Sequence, residues 1–356
     1  MSYKLNKKLK ELTPYEPISG DYKIRLDANE SCYNLNDELS EIISYKMKNI
    51  DYNRYPDPYA NKTVKAFASF YGIDESLVTA GNGSDELISI ISSCFLEKDD
   101  IVVTLSHDFT MYAFYSSLYE LNVKVFNKNE DLTVDIDGLI EFCNINNAKA
   151  LFFSNPCNPT SLGISKDEVK KLIKNLNCLV ILDEAYMDFW TESLLPDIQK
   201  YDNCIILKTC SKAVGLAAIR LGFAVAGEKI STALKAAKSP YNTDTISQMI
   251  GEVVFEKKDY LNARIEEITS NNKWFYKEVL ELQAKFPILE KVFETRTNFI
   301  FIKTSFEDRI FDDLLKNSIA IRKFKGFLRI TLGSDDENKE LIFTLRKILT
   351  DIKDGG

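Results

Sequence analysis

Residues 207–223 read LKTCSKAVGLAAIRLGF, and no other charged residue stands between Lys212 and Arg220. A lysine among small and apolar neighbours loses hydration, which costs several kcal/mol unless the charge is paired or the amine gives up its proton. An amine with a depressed pKa is a nucleophile, so Lys212 is a candidate for Schiff-base chemistry with an aldehyde. Three further stretches carry polar groups. GNGSDE (81–86) sets two glycines ahead of a helical pattern, where free N–H groups can hold a phosphate. NPCNPTSLG (155–163) is a polar loop bounded by prolines, and DEAYMDF (183–189) brings an acid, Asp183, directly after an apolar run. Each alone has an ordinary structural explanation: a turn, a rigid loop, a helix cap, a lysine reaching to solvent. His107 is the only histidine, which excludes metal motifs built on two, and no Gly-x-Ser-x-Gly elbow accompanies it for a hydrolase.

These stretches need a scaffold that brings them together. IVVTL (101–105), VKVF (123–126), ALFFS (150–154), CLVILD (178–183), CIILK (204–208) and GFAVAG (222–227) read as strands. Between them SDELISIISSCF, MYAFYSSLYEL, DIDGLIEFCNIN and SKDEVKKLIKNL have helical spacing. The alternation predicts an α/β fold with a mainly parallel central sheet and helices on both faces. In such a sheet ligands bind beyond the carboxyl ends of the strands, and the polar stretches fall there. After about residue 229 the texture changes to long charged helical segments such as 246–285, a strand pair at 297–303 and 326–333, and a terminal helix in 336–353. The expected organisation is an N-terminal arm (1–28) packing with the small domain, a large domain (29–235) and a smaller α+β domain (236–356).

Composition narrows the possible partners. With 356 residues, 45% of them hydrophobic and 28% charged, the chain can bury large cores. A net charge of -8 argues against nucleic acid or an anionic membrane as partner. Seven scattered cysteines without a Cys-x-x-Cys pair argue against a disulfide scaffold or structural zinc, so no metal is expected. No signal-like segment and no apolar run of membrane length is evident, and a soluble cytoplasmic protein is the expectation.

One physical model accommodates all the polar stretches. Pyridoxal phosphate needs an amine for its aldehyde, an acid against its pyridine nitrogen and a cup for its phosphate. Lys212 can be the amine and Asp183 the acid. Ser84, Asp85, Thr209, Ser211, Arg220 and the helix start at 83–86 can form the cup. Asn158 and Tyr186 can hydrogen-bond the ring oxygen, and Phe109 can stack on the ring.

The chain resembles the fold-type I pyridoxal-phosphate-dependent aminotransferases, and within them the histidinol-phosphate aminotransferase group. The resemblance runs through LTPYEP (12–17), LDANE (26–30), YPDP (55–58), GNGSDE, FTMY (109–112), NPCNPTSLG, DEAYMDF, TCSKAVGLAAIRLGF, PYN (240–242) and LRITLG (328–333), essentially the whole chain. It implies catalytic roles for Lys212, Asp183 and Tyr186. It also implies that Tyr55 reaches the cofactor of a neighbouring subunit, which makes a homodimer with shared sites. Arg329 and Arg322 match arginines that receive a substrate carboxylate or phosphate, and Tyr15 matches a substrate-facing tyrosine of a mobile arm. The chain departs from the family pattern in having no proline after LDANE, in the His-Asp of SHDFTMY, in Cys210 and in the short stretch from Arg322 to Arg329.

The activity so implied is transamination between histidinol phosphate or imidazole-acetol phosphate and glutamate or 2-oxoglutarate. A broader aromatic or aliphatic aminotransferase and a threonine-phosphate decarboxylase use the same cofactor residues. A regulatory protein that keeps the fold without turnover would not need the intact set.

Overall fold

The computed structural model describes residues 3–10, 12–14 and 16–355. Twelve strands occur among them: β1 (Ile24–Leu26), β2 (Val78–Gly81), β3 (Ile101–Leu105), β4 (Asn122–Phe126), β5 (Ala150–Ser154), β6 (Leu179–Asp183), β7 (Cys204–Thr209), β8 (Gly222–Ala226), β9 (Lys291–Val292), β10 (Phe299–Lys303), β11 (Ile319–Phe324) and β12 (Phe327–Thr331).

Seven of these form one sheet in the order β2-β8-β7-β6-β5-β3-β4, in which only β8 runs against its neighbours. Both faces are covered, so the central strands read as continuous apolar runs and not as an alternation. Phe153, Leu182 and Ile206 pack on one face with Phe67, Phe223 and Phe255. Phe152, Ile181 and Ile205 pack on the other with Leu87, Ile91 and Tyr112. The helices between strands begin where sequence chemistry starts them. Ser165 and Glu168 close a capping box ahead of Lys166–Asn175, satisfying two amide groups that helix geometry leaves unpaired.

The second sheet has the order β1-β11-β12-β10-β9. The expected pairing of 297–303 with 326–333 is the antiparallel β10–β12 ladder. β1 was not expected: three residues carry no periodicity of their own, and this strand exists because Ile24 lies opposite Ile319 in a parallel ladder. β11 and β12 are joined through Lys325 and Gly326, whose φ of +76° suits glycine in a tight hairpin turn.

The stretch 246–285 is two helices, Thr245–Glu256 and Lys258–Lys285, parted at Lys257 with ψ 63°. Val253, Val254, Phe255 and Leu261 belong to the apolar cluster of the seven-stranded sheet, whereas Ile268, Phe275, Val279 and Leu282 belong to that of the five-stranded sheet. Packing therefore changes partner inside the long helix. Amphipathic spacing shows that a helix has a buried face, but not which sheet it buries that face against. Among the described residues no helix is long and apolar enough to cross a membrane.

Candidate functional site

The helix Gly83–Cys94 starts immediately after β2, and its N-cap Asn82 makes no side-chain cap, so the first-turn N–H groups are left for a ligand. Gly83 has φ +79°, and a Cβ there would meet Arg220 Nη2 at 2.9 Å. A Cβ on Gly222 would lie 2.6 Å from both Gly83 C and Ser84 N. The backbones of β8 and of the helix start are thus in direct approach, with no room for a side chain. Arg220, itself at φ +50°, donates from Nη1 to Ser211 Oγ (3.3 Å) and from Nη2 to Asp85 Oδ2 (3.3 Å). Thr209 Oγ1 accepts from Ser211 N at 3.2 Å. This corner gathers Ser84, Asp85, Thr209, Ser211 and Arg220 into one cationic, amide-lined cup.

Asp183 ends β6 and is 4% exposed. Its Oδ2 accepts from Tyr112 OH (2.8 Å) and its Oδ1 from Ala185 N (3.0 Å). Burial raises the carboxyl to about 6, opposed by those two donors and reinforced by Asp108 and Asp85. The Lys212 amine donates to Ala28 O at 2.9 Å. Desolvation lowers it to about 8; Arg329 and Arg220 push it the same way, and Glu30 and Asp85 oppose them. An amine that deprotonates near neutral pH is what carbonyl chemistry at this residue needs.

Tyr186 is buried, with its hydroxyl accepting from Asn29 Nδ2 at 2.9 Å, and burial pushes it up to about 12 against the pull of Arg329 and Asn29. Asn158 Oδ1 accepts from Arg329 Nη1 at 2.6 Å, and Arg329 Nη2 donates to Asp27 O at 2.6 Å. Arg329 is 8% exposed, and Arg322 lies directly opposite it across the β11–β12 ladder. Opposed residues of such a ladder project from the same face. The short connection noted in the sequence therefore sets the two arginines side by side. Phe109 is half-buried and meets Tyr112 edge-on, with centroids 5.5 Å apart.

Two expected residues stand apart. Tyr55 is 81% exposed and stacks on Tyr241 (centroids 4.6 Å, planes 17° apart), outside this cluster. Tyr15 lies outside the described residues. The sequence reading also passed over several participants: Tyr112, which holds Asp183, Asn29, which holds Tyr186, and Ala28, whose carbonyl receives Lys212. Their signal was present in FTMY and LDANE, but nothing local shows which side chains those motifs meet.

The donor set suits pyridoxal phosphate: a backbone cradle that a Cβ would fill, a guanidinium beside it, a buried carboxylate and a low-pKa amine, all at the carboxyl ends of β2, β6 and β7. A fold of this order with these groups defines the fold-type I pyridoxal-phosphate-dependent enzymes. The family described as Aminotransferase class I and II matches residues 21–345. The histidinol-phosphate aminotransferase of Clostridium novyi (strain NT) is 40% identical over 341 residues, 94% of this chain and 94% of that protein. Its namesake from Clostridium kluyveri (strain NBRC 12016) is 39% identical over 346 residues, 96% and 97% of the two chains. The structure of histidinol-phosphate aminotransferase from Sinorhizobium meliloti in complex with pyridoxal-5'-phosphate has a TM-score of 0.87, covers 99% of each chain and shares 21% identity, a likeness of fold. The chain belongs to the class I and II aminotransferase family. It is a pyridoxal-phosphate-dependent aminotransferase.

Proposed function

We propose that this aminotransferase exchanges the amino group between histidinol phosphate or imidazole-acetol phosphate and glutamate or 2-oxoglutarate, working as a homodimer. The observation that carries the phosphorylated substrate is the register of Arg322 opposite Arg329 on the strand pair that faces Asn158 and Lys212. Two guanidinium forks side by side accept either a carboxylate or a phosphate dianion, and the two half-reactions require both. The identity of 40% with the Clostridium novyi protein supports the same reading.

Bound pyridoxal phosphate supplies an aldehyde carbon and an electron-withdrawing ring. Around it the protein's own groups divide the work. Ser84, Thr209, Ser211, Arg220 and the helix start hold the phosphate, while Asp85 steadies Arg220. Asp183, oriented by Tyr112, keeps the proton on the ring nitrogen. Asn158 and Tyr186 bind the ring oxygen, and Phe109 covers one ring face. Lys212 would hold the aldehyde carbon and, as a free amine, would carry the proton between the substrate α-carbon and that same carbon. Tyr55, exposed in the single chain, reaches the phosphate held by the other subunit.

A half-reaction screen tests the substrate. The pyridoxal form is mixed with histidinol phosphate, histidinol, glutamate, phenylalanine or threonine phosphate, and the cofactor absorbance is followed. Rapid conversion by histidinol phosphate and glutamate, with histidinol poor, is the expected result. Preference for phenylalanine without competition by inorganic phosphate overturns the phosphorylated substrate, and carbon dioxide released from threonine phosphate assigns a decarboxylase instead.

A further inference from the structure

Asp108, in the turn after β3, has no part in the roles assigned above, yet it is buried. Its Oδ1 accepts from Phe109 N (2.7 Å) and from Ser154 Oγ (2.5 Å), and its Oδ2 accepts from Ser154 N (3.2 Å). Ser154 Oγ in turn accepts from Asn158 N at 3.0 Å. Three donors converge on this one carboxyl, so its acceptor capacity is used inside the protein. Counter-charge stands nearby: Lys128 donates from Nζ to His107 O (3.3 Å) and to Cys157 Sγ (3.0 Å), beneath the loop that carries Asn158. Burial, the largest influence, leaves Asp108 above the usual carboxylate range, although Lys128 and the Ser154 and Phe109 donors oppose it.

The two groups that Asp108 reaches are the one proposed to cover a face of the cofactor ring, Phe109, and the one proposed to bind its oxygen, Asn158. We propose that Asp108 is a positioning residue for the cofactor ring, clamping Phe109 directly and Asn158 through Ser154, so that both keep one fixed relation to the ring. The inference rests on the cofactor roles given under Proposed function. It also gives the His-Asp of SHDFTMY a purpose, because at position 108 a side chain without an acceptor would leave Phe109 N and the Ser154 donors unpaired.

The test uses apo forms of the wild type, Asp108→Ala, Asp108→Asn and Ser154→Ala, titrated with pyridoxal phosphate. Induced circular dichroism of the visible cofactor band is the readout of ring geometry, and apo Tm monitors folding separately. Asp108→Ala is expected to weaken cofactor binding by about tenfold or more, the loss of buried hydrogen bonds, and to change the band at saturation. Asp108→Asn, whose carbonyl still accepts from Phe109 N, recovers part of both. Ser154→Ala changes the band by releasing Asn158 while Phe109 stays clamped. A wild-type band in Asp108→Ala and Ser154→Ala, with affinity within about twofold, overturns the inference even if Tm falls. If Asp108→Ala does not fold, Ser154→Ala decides alone, and an unchanged band overturns the clamp. A wild-type protein that takes up no cofactor overturns the cofactor site and this inference together, whereas wild-type uptake with indifferent variants overturns this inference only.

Discussion

The ends of the site proposed for the cofactor phosphate and for the substrate are built differently. The phosphate cup is made largely of backbone. Gly83, Gly222 and the helix start approach so closely that no side chain fits, and neighbouring strands β2 and β8 deliver them in register, Gly81 opposite Gly222. The substrate end is made of side chains drawn from distant segments. Arg329 bonds Asp27 O and Asn158, Asn29 bonds Tyr186 and Thr331, and Lys212 bonds Ala28 O. The strap 27–30 thereby ties the five-stranded sheet to the lysine. Backbone geometry tolerates little change, so the cup suits a ligand that never varies. Long side chains can be re-aimed, which suits the proposed task of receiving two substrates.

Several substitutions can break or sharpen that contrast. The largest effect is expected for Lys212→Ala, which removes the amine proposed both to anchor the cofactor and to carry the proton. Turnover should fall by several orders of magnitude, and borohydride should no longer fix the cofactor to the peptide carrying residue 212. A label on another lysine would refute the assignment.

Next is Gly222→Ala, a methyl group added at the cup. The backbones at Gly83 and Ser84 must shift to admit it, which is expected to destabilise the protein by about 1–3 kcal/mol and to weaken cofactor binding. Denaturant unfolding and a pyridoxal phosphate titration measure the two effects. Wild-type values in both would show that the backbone approach is not restrictive.

At the other end, Arg329→Met should lower kcat/KM by roughly ten- to a hundredfold for glutamate and histidinol phosphate alike. The same substitution has a pH signature. Only the neutral amine is nucleophilic, so cofactor uptake by wild-type apoprotein should rise with pH around the lowered Lys212 pKa of about 8. Arg329 depresses that pKa, so removing it should move the midpoint of the uptake rate upward. A downward shift would contradict the electrostatic role.

The smallest change is expected for Asp85→Asn. The Arg220–Asp85 ion pair has side-chain exposures of 48% and 38%, so solvent screening leaves it little net strength. Stability should move by less than about 1 kcal/mol, as for other exposed pairs. A larger loss on thermal unfolding would mean that the cup depends on a side-chain contact after all.

The cup was the more legible end. Its glycines and arginine lie next to strand patterns that stand out as apolar runs, and Asp183 sits where such a run stops. The substrate end was legible only in part. Arg329 could be singled out, but its hydrogen bond to Asn158 spans 171 positions and that of Asn29 to Tyr186 spans 157. Tyr112 carried no signal of its own, because an aromatic residue at a helix start has ordinary local uses.

By itself the sequence determined the alternation of strands and helices, the parallel sheet that follows from it and the groups presented at its strand ends. These are properties of hydrophobic period and local backbone preference, which act over a few residues. Only the tertiary structure decided that β1 is a strand, that the packing divide falls inside the long helix and that the strap 27–30 meets Lys212 and Arg329. In each case the energy comes from partners far apart in the chain. A three-residue strand has no periodicity to reveal, a helix face does not name the sheet it covers, and a hydrogen bond exists only once folding has brought donor and acceptor together.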